Sequence, residues 1–306
     1  MKRYLNLGIL QMPIDRNTET NLNYICAQVE RMMDGYHRPE LIVGVEEGIC
    51  SVEPQPIPGP ATKFLCEIAR KHGIYFLPGS MAETHPDLQE GRSYNTAPVI
   101  NPAGDIIAVY RKICPWHPAE PSVPGREYVV FPIPEKQTKI GVEICYDMNF
   151  PEISRNLALL GAEVIVKMAA DPDPLYQPYR CMPITRALEN QLYYVATNGV
   201  GEFYTGTLYG RSMVVDPEAT VLWEAGEDAT VATITLDLER VRLTREHGAF
   251  FLDQNLNLLR HFKPPMPFAE NLDSAPVFQT LAPPALNKAS YRQKLRSSGI
   301  NLIGKE

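Results

Sequence analysis

The chain has no Cys-x-x-Cys pair, no His-Glu-x-x-His, no surplus of basic residues and no apolar run near the roughly 20 residues that cross a bilayer. Each absence removes a class of protein. The six cysteines (26, 50, 66, 114, 145 and 181) stand singly along 306 residues, so neither a zinc site nor a disulfide framework is expected. Lys and Arg number 29 against 36 Asp and Glu, a net charge of −7. That argues against nucleic acid or an anionic membrane as partner, since both call for a basic face. A phosphate cradle is also missing: Gly199-Val-Gly201 is not continued by a third glycine and opens no helix. The N-terminus passes from Met1-Lys-Arg straight into a strand-like pattern with no apolar h-region. A cytoplasmic, reducing location is therefore the expectation, with no metal and no cofactor.

What is present fits a large globular core, with 44% hydrophobic and 21% charged residues. Residues 4–12 read as a buried strand. Leu22, Ile25, Cys26 and Val29 then fall on one face of a helix. A second strand spans Glu40–Glu46, a Pro-rich loop runs from Pro54 to Pro60, and a helix carrying Phe64, Leu65, Ile68 and Ala69 stops at Gly73. Strands follow at about 74–81, 93–101 and 105–112. The second half repeats the order, with strands near 128–133 and 139–145, a helix from Pro151, a strand at 163–169 and a helix at 176–190. Strands near 192–198, 208–215, 219–224 and 231–237 come next, then a helix at 238–247. Alternating βαβ units call for parallel strands covered by helices, and the closing runs of strands call for antiparallel neighbours. The fold class expected is α/β, two sheets stacked with helices outside in a four-layer sandwich. Residues 1–255 form this domain. Residues 256–306, Pro-rich and aperiodic, form an extension, with Phe262, Phe268, Val277, Phe278 and Leu281 suited to an arm on a neighbouring subunit.

Three chemically useful groups end apolar strands. Cys145 stops the alternation of Ile140, Val142 and Ile144, with Asp147 or Asn149 as helix cap and Pro151 in the first turn. Such a place, at a strand's C-terminal end, is where open α/β sheets bind ligands, and a helix N-terminus favours a thiolate. A small buried hydrophobe is the competing reading of the same cysteine. Lys112 closes Ile106–Arg111, and Glu46 or Glu47 closes Leu41–Val45. Singly, each reads as a solvated charge. Together they supply a thiol, a base and a cation for an oxyanion. The six histidines offer no strand-end candidate for a Cys-His pair, and His117 reads as loop or pocket wall.

Lys139–Glu152, with Ile144-Cys-Tyr-Asp147 at its centre and Phe150-Pro-Glu152 after it, resembles the nucleophile motif of the nitrilase superfamily, the carbon–nitrogen hydrolases. Tyr110-Arg-Lys-Ile113 resembles that family's lysine motif, Leu41-Ile-Val-Gly-Val-Glu46 its glutamate motif, and Gly210–Pro217 a later signature. The resemblance spans about 4–250 and implies an αββα sandwich with a triad of Glu46, Lys112 and Cys145. Lys112–Glu120 is similar to the stretch of aliphatic amidases and formamidases that supplies a second glutamate, here Glu120. Trp116, Tyr146, Asn149, Lys167 and Asn198 are the substrate-binding candidates. Asp171 and Asp173 border the pocket but read mainly as turn residues beside prolines.

The departure from the family pattern is Gly44-Val45 where an aromatic residue and a proline usually precede the glutamate, and these smaller residues are expected to loosen the packing behind the site. The implied activity is hydrolysis of a small amide through a thioester, with release of ammonia and no cofactor. N-carbamoyl compounds and nitriles are the alternatives, and a nitrilase-like binding protein without turnover is the alternative of another class. A homo-oligomer is expected, since the family commonly pairs through helices matching 151–160 and 176–190.

Overall fold

The computed structural model describes residues 3–117, 119–248, 254–262, 264–265, 267–280 and 288–297. Two six-stranded sheets lie back to back. The first has the order β14-β1-β2-β3-β4-β5, with β1 Tyr4–Gln11, β2 Leu41–Gln55, β3 Tyr75–Glu83, β4 Tyr94–Ile100, β5 Ile106–Arg111 and β14 Thr230–Asp237. The second has the order β13-β12-β9-β8-β7-β6, with β6 Val130–Ile133, β7 Thr138–Ile144, β8 Val164–Ala169, β9 Tyr193–Asn198, β12 Met213–Val215 and β13 Val221–Glu224. In each sheet three strands run parallel, β1-β2-β3 and β7-β8-β9, and antiparallel strands complete it. The expected repetition of one pattern in two halves is thus realised as two similar sheets, with β14 returning from the second half to edge the first.

The sheets meet through Leu5, Leu7, Ile9, Leu41, Val43 and Leu77 on one side, and Ile140, Val142, Ile144, Val164, Val166 and Val195 on the other. The outer face of the first sheet is covered by α1 (Thr18–Met33) and α2 (Pro60–His72), through Ile25, Val29, Leu65 and Ile68. The second sheet is covered by α3 (Pro151–Leu159) and, after the short α4 (Tyr176–Tyr179), by α5 (Cys181–Asn190). Strands buried on both faces read as apolar runs rather than alternations, which is why the parallel strands are the easiest to see in the sequence. Helix ends follow local chemistry as well. Asn17 caps α1 by accepting from the Thr20 N–H, Pro60 opens α2, and Gly73 at φ 65 closes it.

Four expectations are corrected. Strand β2 runs on to Gln55 instead of stopping at Glu46, so Pro54 lies inside it; register shifts after Val45 and Cys50 break the alternation there. The helix at 176–190 is two helices, because Pro183 lacks the N–H that would bond back to Tyr179. The strand at 208–215 is also two. Val200–Phe203 (β10) and Gly206–Tyr209 (β11) form a separate hairpin, while Met213–Val215 joins the second sheet. Neither Asp147 nor Asn149 caps α3. Cys145–Asn149 is a 3-10 turn that aims the Asp147 carboxylate back at the strand end, and Phe150 holds the cap position with extended backbone.

After α6 (Glu239–His247), the described part of the C-terminal stretch holds α7 (Asn255–Leu258) and exposed Phe262, Phe268, Val277 and Phe278; Leu281 lies outside the described residues. Among the described residues no helix is long and apolar enough to cross a membrane.

Candidate active site

The candidate groups come together from both sheets, and Cys145 holds the C-terminal end of a parallel strand, where open α/β sheets bind ligands. Glu46 lies in β2, Lys112 directly follows β5, and Cys145 directly follows β7. All three are buried, as is Glu120 on the loop after Lys112. Lys112 Nζ lies 2.7 Å from Glu46 Oε1 and 2.6 Å from Glu120 Oε2. Asn95, on β4, donates its side-chain amide to both carboxylates at 2.9 Å. The Trp116 N–H donates to Glu120 Oε2 at 3.0 Å, and the Ala170 N–H donates to Glu46 Oε2 at 2.9 Å. A cation thus sits between two carboxylates whose other oxygens are themselves held.

Cys145 sits at φ 49, a left-handed conformation that costs a non-glycine residue energy and marks a forced turn. Its thiol donates to Asp171 Oδ1 at 3.1 Å. Asp171 Oδ2 is taken by Lys167, in a short ion pair, and by the Tyr209 hydroxyl at 3.2 Å. Asn198 fixes the Asp171 backbone, accepting from its N–H at 2.8 Å and donating to its carbonyl at 3.2 Å. Behind the turn, Asp147 accepts from the Ile144 N–H at 3.0 Å, the Cys114 N–H at 2.8 Å and the Tyr110 hydroxyl at 2.7 Å. One carboxylate therefore ties the cysteine turn to the lysine loop.

Burial and charge push these groups apart. Burial raises the Glu46 carboxyl, opposed by Lys112. Burial also works on Glu120, but there the Lys112 charge, the Trp116 N–H and Asn95 prevail and hold it low. Burial opposes the Lys112 charge, yet Cys145, Glu46 and Glu120 together raise it well above its ordinary value. The Cys145 thiol is pushed well up by burial, then by Asp171 and Glu46, so the resting group is the thiol. A base is needed to make it nucleophilic.

The other sequence candidates fall at varying distances from this chemistry. Glu46, not Glu47, reaches Lys112; Glu47 turns to the Tyr204 hydroxyl at 3.0 Å. Trp116 contributes its backbone N–H, and Tyr146, half-buried, packs edge-on against Phe150. The Asn149 amide donates to Tyr179 at 3.1 Å. Lys167 and Asn198 act through Asp171, as above. Asp173 is exposed and His117 half-buried. Asn95 and Tyr209 carry no signal in the sequence, and Asp171, which reads as a turn residue, has only its place just past the end of β8. Gly44 does not loosen the packing. A Cβ there would lie 2.1 Å from the Pro78 carbonyl oxygen, so only glycine lets β2 approach β3, and the Gly44 carbonyl accepts from Thr197 Oγ1 at 2.5 Å. No group of three His, Cys, Asp or Glu suited to a metal occurs among the described residues.

Carboxylate, lysine and thiol gathered between two such sheets can carry out hydrolysis by nucleophilic attack. The family model described as carbon-nitrogen hydrolase matches residues 6–246, and the chain belongs to that family, within the nitrilase superfamily. It is an amidohydrolase acting on carbon–nitrogen bonds. The (R)-stereoselective amidase of a Pseudomonas species is 35% identical over 207 residues, 67% of this chain and 72% of that protein. The nitrilase of Pyrococcus abyssi is 40% identical over 210 residues, 65% of this chain and 74% of that one. Among solved structures, Nit3 of Saccharomyces cerevisiae, a member of branch 10 of the nitrilase superfamily, superposes with a TM-score of 0.73 at 26% identity. It covers 80% of this chain and 94% of its own.

Proposed function

We propose that this enzyme hydrolyses a small non-peptide amide through a thioester on Cys145, releasing ammonia, as an amidase of the aliphatic amidase and formamidase type. The observation that carries the reading is Lys112 Nζ held between Glu46 and Glu120 at 2.7 and 2.6 Å, alongside a buried thiol on a forced turn. When substrate displaces the thiol from Asp171, Glu46 takes its proton and the sulfur attacks the carbonyl carbon. Lys112 and the Tyr146 backbone N–H stabilise the oxyanion. Glu46 passes its proton to the nitrogen, the C–N bond breaks and ammonia leaves. Glu46 then takes a proton from water, the hydroxide attacks the thioester, and that proton returns to the sulfur as the acid departs. Glu120 keeps Lys112 in place and orients the substrate's amide nitrogen. Trp116, Tyr146, Asn149, Lys167 and Asn198 border the pocket. Nitriles suit this site less well than amides or N-carbamoyl compounds, because a nitrile has no amide nitrogen for Glu120 to orient.

The test is ammonia release from a panel of amides, N-carbamoyl compounds and nitriles, with Cys145→Ala as control. Turnover of amides by the wild type alone supports the reading; equal inertness of both proteins across the panel defeats it. We also propose a homo-oligomer with a cytoplasmic location and with the C-terminal extension as an arm. Exposed Leu159 and Leu160 at the end of α3 and Leu188 on α5 support the first. A monomeric mass by light scattering would count against it.

A further inference from the structure

One carboxylate at the site is used by none of these steps. Glu47 occupies φ 55, a conformation a glycine would take at no cost, and it is fixed there by its N–H donating to Ser80 Oγ at 2.8 Å. Its Oε1 accepts from the Tyr204 hydroxyl at 3.0 Å, while its Oε2 is buried with no partner. A buried carboxylate oxygen left unmatched is costly unless a ligand supplies the partner. Burial, with the charges of Glu46 and Glu120, pushes Glu47 up to about 8, so a cation placed against it would be needed to ionise it at neutral pH.

The surroundings decide which ligand charge fits. Four acids, Glu46, Glu47, Glu120 and Asp171, meet two lysines, and the arginines on the Tyr209 side, Arg180 and Arg211, are paired with Glu224 and Glu227. Lys112 is committed to Glu46 and Glu120, and Lys167 to Asp171. The hairpin of β10 and β11 reaches both flanking acids, through the Tyr204 hydroxyl on Glu47 and the Tyr209 hydroxyl on Asp171. A carboxylate-bearing substrate would find no uncommitted lysine there. A substrate ammonium would find Glu47 Oε2.

We infer that Glu47 is a specificity residue and that the preferred substrates are amides whose acyl chain carries a cationic amine. The inference rests on the hydrolase reading above and names its substrate class. The amine pairs with Glu47 while the amide carbon meets Cys145, so the charge contributes to binding and excludes anionic analogues.

The experiment compares linear ω-amino alkanamides with alkanamides and ω-carboxy alkanamides of equal length, in the wild type and in Glu47→Gln. The wild type should favour the amine-bearing amide over the neutral one by about tenfold or more in kcat/KM, mainly through KM, and turn over the carboxylate poorly. In Glu47→Gln the amine-to-neutral ratio should fall to about one, whatever happens to the common rate. A neutral amide preferred by the wild type, or a ratio unmoved by the substitution, overturns the inference. If no amide at all releases ammonia, the hydrolysis reading fails. The inference is then judged by calorimetric binding to Cys145→Ala: tighter binding of the amine-bearing amide supports it, and equal or absent binding overturns it.

Discussion

Among the described residues two lysines are almost wholly buried, and both end on carboxylates. Lys112 lies between Glu46 and Glu120 with Asn95 bridging the pair, whereas Lys167 meets Asp171 alone. The first cluster carries one negative charge more than it can cancel; the second is balanced. In the first, therefore, one carboxyl is free to hold a proton, and its members separate: Glu46 is raised while Glu120 is held low. Pairs of groups pushed apart in this way mark acid–base work. In the balanced pair burial opposes both charges, yet each partner overcomes it: Asp171 is lowered and Lys167 raised, so neither changes charge near neutral pH. It serves as a fixed dipole against the thiol.

Removing each lysine is the strongest way to break the comparison. Lys112→Met strands two buried carboxylates and should cost about 5 kcal/mol, at the top of the range for breaking a buried pair, with loss of turnover; Lys167→Met strands one and should cost nearer 3. Urea unfolding measures both, and a larger loss in Lys167→Met would contradict the distinction. The next effect is on the thiol. Asp171 is, after burial, the largest influence raising Cys145. Asp171→Asn removes that charge and leaves Lys167 unpaired, so the thiol should become more acidic. Alkylation by iodoacetamide at neutral pH should then quicken by about tenfold while amide turnover falls; slower alkylation would contradict the account.

A third contrast concerns a buried carboxylate with no direct cation. Glu143 accepts from Ser154 at 2.6 Å and Tyr194 at 2.5 Å, yet burial pushes it up to about 7. Because the folded value lies above the unfolded one, the folded state binds more protons and stability falls as pH rises between the two. The loss attributable to Glu143 from pH 4 to 8 should be roughly 3 kcal/mol. Glu143→Gln should flatten that slope in denaturant titrations, and an unchanged slope would contradict it.

The order of legibility follows from burial. Glu46, Lys112 and Cys145 could be found because each ends an apolar run too regular to miss, and the parallel order of the sheets followed from the same runs. Asn95 sits inside a strand, where a lone amide reads as nothing in particular until two carboxylates from other strands converge on it. Asp171 is followed by a proline and looks like a turn; only the fold brings the end of β8 beneath the thiol. The hairpin bearing Tyr204 and Tyr209 has strands of four residues each, too short to show alternation, and its tyrosines act across the fold rather than along the chain. Gly44 read as a weakness because a missing side chain looks like missing packing, whereas here it is what permits contact.

The account stands on Cys145 carrying the acyl group. Glu120→Gln should slow release while leaving Glu46 on Lys112, so quenching this variant during turnover of an amide and mapping the added mass by peptide mass spectrometry tests it directly. The expected result is an acyl adduct on the peptide containing Cys145 and none in Cys145→Ala. An adduct on Cys114 or Cys181, or ammonia release undiminished in Cys145→Ala, would contradict it.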